Sequence, residues 1–147
     1  MASRFASRPP AWFWLVAGAF AVWEAFGVWS WWEHWQHGAA AMGQVPTEYD
    51  IAYMAALPRW YVWLFGLAVW SGFAGGLSLL RRNRVARTLF VVSLIATVAM
   101  FGYTFLATDL IAAKGVWTTY FPAVIIALTI AAAWFAGVAT RRGWLRP

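Results

Sequence analysis

The sequence predicts an all-α membrane protein: a four-transmembrane-helix bundle with both termini cytoplasmic and one short external interfacial helix. Three observations carry this. Apolar residues make up 63% of the 147 residues and charged ones 11%, against about 45–50% and ~25% in soluble domains. Four apolar runs each reach the roughly 20 residues that a helix needs to cross a bilayer core. Nine of the 11 Lys and Arg then fall on one side of the layout that those runs impose. So little charge excludes a water-soluble globule and a disordered chain. The absence of cysteine excludes a disulfide scaffold. At this length the chain is expected to be a single membrane domain.

The spans are expected at 12–32, 60–80, 86–107 and 117–138, as helices rather than barrel strands because polarity does not alternate along them. The first follows Arg4 and Arg8, and Ala19 and Ala21 are small enough for signal cleavage. The apolar run continues through bulky Val22, Trp23, Phe26 and Trp29, which argues against that reading. Arg4, Arg8, Arg81, Arg82, Arg84, Arg87, Arg141, Arg142 and Arg146 lie on one side, and only Arg59 and Lys114 on the other. By the positive-inside rule the first side is cytoplasmic. The expected location is a bacterial inner membrane, crossed several times. The net charge of +6 does not indicate nucleic acid, since the arginines flank helix ends and form no basic face with interleaved polar contacts.

Between the spans, the connection 81–87 is a tight turn that makes the second and third helices antiparallel neighbours. The external segment 33–59 starts as a linker rich in Gly and Ala. Thr47, Glu48 and Asp50 then read as a helix start with acids in its first turn, and Pro58 closes an interfacial helix over 47–57.

Glu24 is the most informative residue. It lies about 18 Å along the helix from Trp12, near mid-membrane, where an ionisable group costs about 2.5–3.5 kcal/mol and normally faces protein or water. Ala17, Ala21, Gly27 and Val28 share its face, while Leu15, Val22, Phe26 and Trp29 lie opposite. No cation sits at its depth. The expectation is a protonated acid hydrogen-bonded to the hydroxyls of Ser71 on the second helix and of Ser93, Thr97 and Thr104 on the third. Two roles stay open for this set, substrate binding or proton coupling on one hand and polar glue between helices on the other. A transporter site usually brings more than one such group, which favours glue. Glu24→Gln separates them, because Gln hydrogen-bonds but does not titrate.

Trp29, Trp31, Trp32, Trp35, Trp60, Trp63 and Trp117 mark the outer interface, and Trp12, Trp14, Trp134 and Trp144 the inner one, as an aromatic belt. Trp23 and Trp70 lie deeper. The outer rim, centred on Trp29, Trp32, Trp60 and Trp63, offers the alternative of a cage for a sugar face, a quinone or a pigment. His34 and His37, spaced i, i+3, and Met42 are weak metal ligands with nothing to complete a set. Ala68, Gly72 and Gly76 form a small-xxx-small strip that serves either an internal contact or a dimer seam, and Ala123, Ala127 and Ala131 form a weaker one. The sequence holds no Ser-His-Asp set, carboxylate pair, phosphate loop or nucleotide fingerprint. The expectation is therefore a protein that is not an enzyme, with no cofactor assignable.

The segments Leu57-Pro58-Arg59-Trp60, Val69-Trp70-Ser71-Gly72 and Gly75-Gly76-Leu77-Ser78-Leu79-Leu80-Arg81-Arg82, with Trp23-Glu24-Ala25-Phe26-Gly27, carry a resemblance over most of the chain. It resembles small four-helix bacterial inner-membrane proteins of uncharacterised function, often labelled sugar transporters. The resemblance implies an amide at the position of Glu24, so that the acid is a departure favouring a hydrogen-bonding role. It brings no catalytic residues. Two functions follow. One is an accessory or assembly subunit presenting its glycine strip and aromatic rim to a larger membrane complex. The other is a small-solute transporter working as a homo-oligomer, since four short helices leave little room for a cavity in one copy.

Overall fold

The computed structural model describes residues 7–147, so Arg4 lies outside the described residues. Four helices are long and apolar enough to cross a membrane, and the described chain is helical with no strand beyond one isolated bridge. Helix α1 runs Ala11–His37, α2 Glu48–Ala56, α3 Arg59–Leu80, α4 Val85–Ala107, α5 Leu110–Lys114 and α6 Tyr120–Arg141. The 27 residues of α1 make it about 40 Å long. The segment read as a linker tightens into a 3-10 stretch, Gly38–Gly43, broken where Met42 takes a positive φ of 58°. Helix α2 begins with a reciprocal cap: Thr47 accepts from the Asp50 N–H, and the Asp50 carboxylate accepts from the Thr47 N–H at 2.9 Å.

Around the bundle α1 packs on α3, α3 on α4 and α4 on α6. Small residues of α3 set its central place. A Cβ on Gly76 would come 2.8 Å from the Ala21 Cα, one on Gly72 would overlap the Glu24 carboxyl, and one on Gly75 would press the Phe90 ring at 3.1 Å. Farther along the same α1–α3 seam, Val69 fills the space at Gly27 and the Trp31 indole lies over Gly66. Antiparallel helices thus mesh small against small at Ala21 and Gly76 and large against small at Trp31 and Gly66. The strip of Ala68, Gly72 and Gly76 is therefore an internal contact, closed by α1, and the choice left open by the sequence falls that way.

The end of the bundle holding the arginines is tied shut. Both helices that end there finish in the same left-handed cap: Gly143 (φ 71°) after α6, and Arg82 (φ 59°) after α3. Trp144 N–H donates to Ala139 O at 2.9 Å and Asn83 N–H to Ser78 O at 2.8 Å. The reversed tail returns along the α3–α4 turn, where Arg84 N–H donates to Arg146 O at 2.9 Å. Arg82 Nε donates to Trp144 O at 2.7 Å and its Nη2 to Ser7 O at 2.9 Å. Trp144 and Leu145 are consequently buried in the core with Phe13, Leu79, Phe90 and Phe135. Trp144 was expected in an interfacial belt; the returning tail instead sets its ring edge-to-face against Trp12 and Phe13.

No close backbone packing joins α1 to α6. Side-chain rings bridge that fourth side: Phe13 and Phe20 meet Phe135 near the tied end, and Trp23 meets Phe121 toward the other.

Candidate functional site

A single chain encloses a cavity of about 660 Å³ between α1, α3, α4 and α6. This exceeds the expectation that four short helices would leave little room in one copy. The α1–α6 side, bridged by rings, has fewer close backbone contacts than the other three sides of the bundle. The cavity wall is mostly apolar, with Trp23, Phe26, Phe65, Phe101 and Phe121 prominent. Tyr53, Met54 and Leu57 cover it from α2, and Arg59 stands beside them.

Helix α1 aims Glu24 into this space because its packed face carries Ala17, Ala21 and Glu24, whereas Leu15, Val22 and Trp29 point outward and Phe26, expected on that outer face, also reaches the cavity wall. Glu24 is 6% exposed. Gly72 leaves room for its carboxyl against α3. Among the described residues no hydrogen bond or ion pair reaches that carboxyl. The expected bonds to the hydroxyl stripe do not form, and the reason is local. In an apolar setting a helical hydroxyl reaches its own preceding turn first. Ser71 Oγ donates to Leu67 O at 2.5 Å, Thr104 Oγ1 to Met100 O at 3.1 Å and Thr129 Oγ1 to Ile125 O at 2.8 Å. Ser93 Oγ crosses to Ala68 O at 2.6 Å, tying α4 to α3.

The candidates therefore divide. Glu24, Ser93, Thr97 and Thr104 line the cavity, and Ser71 does not. Thr97 joins Glu24 as a buried cavity-lining group without a hydrogen bond among the described residues. Sequence reasoning missed Thr129, Tyr61 and Arg59 as wall residues. Tyr61 O–H shares a 2.6 Å hydrogen bond with Thr104 Oγ1; since Thr104 donates to Met100 O, Tyr61 is the donor. Depth gave no signal for Tyr61, which lies between the expected belt residues Trp60 and Trp63.

The other candidates lie outside the cavity or face differently. Trp29, Trp32, Trp60 and Trp63 are exposed on the bundle surface and none lines the cavity; Trp23 and Trp35 do. Trp31 leaves the belt, half-buried with its Nε1–H donating to Val62 O at 2.9 Å. Trp70 is half exposed beside Trp31 and Phe73. His34 and His37 do not converge. His34 Nδ1 lies 2.7 Å from Ser30 O and its ring lines the cavity, whereas His37 pairs with Glu33 at 3.3 Å. Glu33 also accepts from the Met42 N–H at 3.2 Å, which closes the end of α1.

Helix α2 is held over the cavity from the α4–α6 side. Asp50 pairs with Lys114, and Tyr49 O–H donates to Asp109 Oδ1 at 2.8 Å. The Lys114 ammonium and two Thr47 hydrogen bonds hold the Asp50 carboxyl down to about 2. Partial burial and the Asp109 carboxylate push the Tyr49 phenol up to about 12. Compared with protein-family models, curated proteins and solved structures, the chain matches none significantly.

Proposed function

We propose that this chain is a non-catalytic, multi-pass membrane protein that binds a small molecule inside its four-helix bundle. The observation that carries this reading is the cavity of about 660 Å³ into which a buried, unpartnered Glu24 is aimed. That volume suits a drug-sized occupant, and a mostly apolar wall with few polar groups is the usual form of such a site. Positive charge marks the cytoplasmic side, so the tied end and both termini face the cytoplasm of a bacterial inner membrane, and α2 covers the cavity from outside. Movement of the bound molecule across the bilayer then makes the protein a small-solute carrier, alone or as a homo-oligomer.

A sugar is a poor fit, because five of the eight wall hydroxyls are already committed, Ser93, Thr104, Thr118 and Thr129 to backbone carbonyls and Tyr61 to Thr104, and a polyol needs many free partners. The reading as an accessory subunit of a larger complex has lost the glycine strip, which α1 covers. The exposed faces of Ala123 and Ala127 on α6 and the tryptophan rim remain to it.

The test is retention of small molecules by the protein purified in lipid nanodiscs and analysed by mass spectrometry. Wild type should carry a stoichiometric small molecule that both Thr97→Phe on α4 and Ile125→Trp on the neighbouring α6, which fill the cavity from two walls, exclude. Equal retention by folded filled variants would sink the reading.

A further inference from the structure

We propose that the occupant of the cavity is a lipophilic organic cation, a molecule with an apolar body and one protonated nitrogen held against Glu24. This rests on the small-molecule reading above and names the chemistry that the site selects. The first argument is the acid itself. Glu24 is more than nine-tenths buried, lines the cavity and has no hydrogen bond or ion pair among the described residues. A buried carboxyl left without a donor is costly, and an N–H⁺ donor brought by the occupant supplies both the bond and the charge.

The second argument is the charge seen from inside. The other titratable groups on the wall are His34, Tyr53, Arg59 and Tyr61. Tyr61 is committed to Thr104, and His34 is engaged at Ser30 O. Arg59 is an exposed residue at the α2-covered end, 13 residues from Gly72 on the same helix, so about 20 Å from the level of Glu24. A positive head is thus drawn to the deep end and its body fills the stretch toward Arg59. An anion would meet the reverse arrangement, a carboxyl at the closed end.

The third argument concerns access. Phe26 and Phe121 both line the cavity and lie exposed on the outer surface of the bundle. One stands on α1 and the other on α6, and toward α2 those helices meet as Trp23 against Phe121, so the cavity wall reaches the surface that faces lipid. A molecule dissolved in the bilayer reaches Glu24 by displacing aromatic side chains, without first crossing the charged tether of α2. That route selects a lipophilic body.

The experiment uses two probes sharing one body, pyrenylmethylammonium and pyrenylmethanol, titrated into the whole protein in nanodiscs. Energy transfer from tryptophan reports occupancy, since Trp23 and Trp35 line the cavity. Both probes should bind saturably, with the ammonium at least about tenfold tighter, the low end for a desolvated charge pair. Glu24→Gln should bring the ammonium to the affinity of the alcohol and leave the alcohol unchanged, and Glu24→Asp should retain the preference. An alcohol that binds as tightly as the ammonium in wild type overturns the cation assignment, as does unchanged ammonium affinity in Glu24→Gln. Either leaves the cavity reading standing. Absence of saturable binding by both probes overturns the two together. The wild-type comparison of probes decides the matter even if the Gln variant does not fold.

Discussion

At Gly72 the missing side chain makes room for an acid, and at Gly76, one turn away, it makes room for a backbone. The two glycines therefore predict different outcomes for the same substitution. Alanine at either gains about 1 kcal/mol of helix propensity. At Gly72 the new methyl meets the mobile end of Glu24, which swings away, so stability should change by less than about 1 kcal/mol while ammonium binding falls. At Gly76 it meets the Ala21 Cα at 2.8 Å, and prying α1 from α3 should cost about 1–3 kcal/mol. Denaturant unfolding in mild detergent, run beside the binding titration, checks both. How much of this was legible follows the same line. The orientation of Glu24 could be read from the small and bulky residues around it, because a helix turns by a fixed angle per residue. Its partners could not, since a serine or threonine satisfies itself on its own helix or reaches a neighbour, and only the packing decides. Ser71 took the first course and Ser93 the second.

Among the elements, α2 is the one whose attachment depends on charge. Its cap at Thr47 and its start at Glu48 were readable from three residues, whereas its anchor to Lys114 and Asp109 joins parts of the chain about sixty residues apart, beyond the reach of any local pattern. The pH dependence follows from the groups involved. The folded-state value of Asp50, about 2, lies below its ordinary 3.8, so its contribution is full above that value and is lost as pH falls toward 2. The folded-state value of Tyr49, about 12, lies above its ordinary 10, so its contribution is full below pH 10 and is lost as pH rises toward 12. Corrected for the intrinsic pH dependence of amide exchange, hydrogen-exchange protection across 48–56 should be greatest on the broad plateau between and smaller at the acid edge. Asp50→Asn should show the acid-edge protection factor already at neutral pH, and wild-type protection that does not fall at the acid edge would refute the tether.

For the whole molecule, the four long apolar helices and the absence of strand among the described residues could be read from composition and run length alone. The returning tail could not be read so directly. Trp144 beyond the last arginines looks like a belt residue until Gly143 is weighed as a reversal that sends the next two side chains back into the bundle. Leu145 is 1% exposed, so Leu145→Ala should cost about 2–5 kcal/mol, measured as thermal unfolding in detergent, despite lying outside every span. The tail, the α3–α4 turn and Ser7 are cross-linked by backbone and guanidinium hydrogen bonds, while the other end of the α1–α6 side meets only as Trp23 against Phe121. Mechanically the bundle is a clothes peg: rods fixed at one end bend most at the other. Bending of that kind would open the cavity sideways and toward α2 and leave the fixed end closed. On the proposed small-molecule reading, one chain would load and unload on a single side, and delivery to the opposite side would require the hydrogen bonds between Arg82, Arg84 and Arg146 to break first.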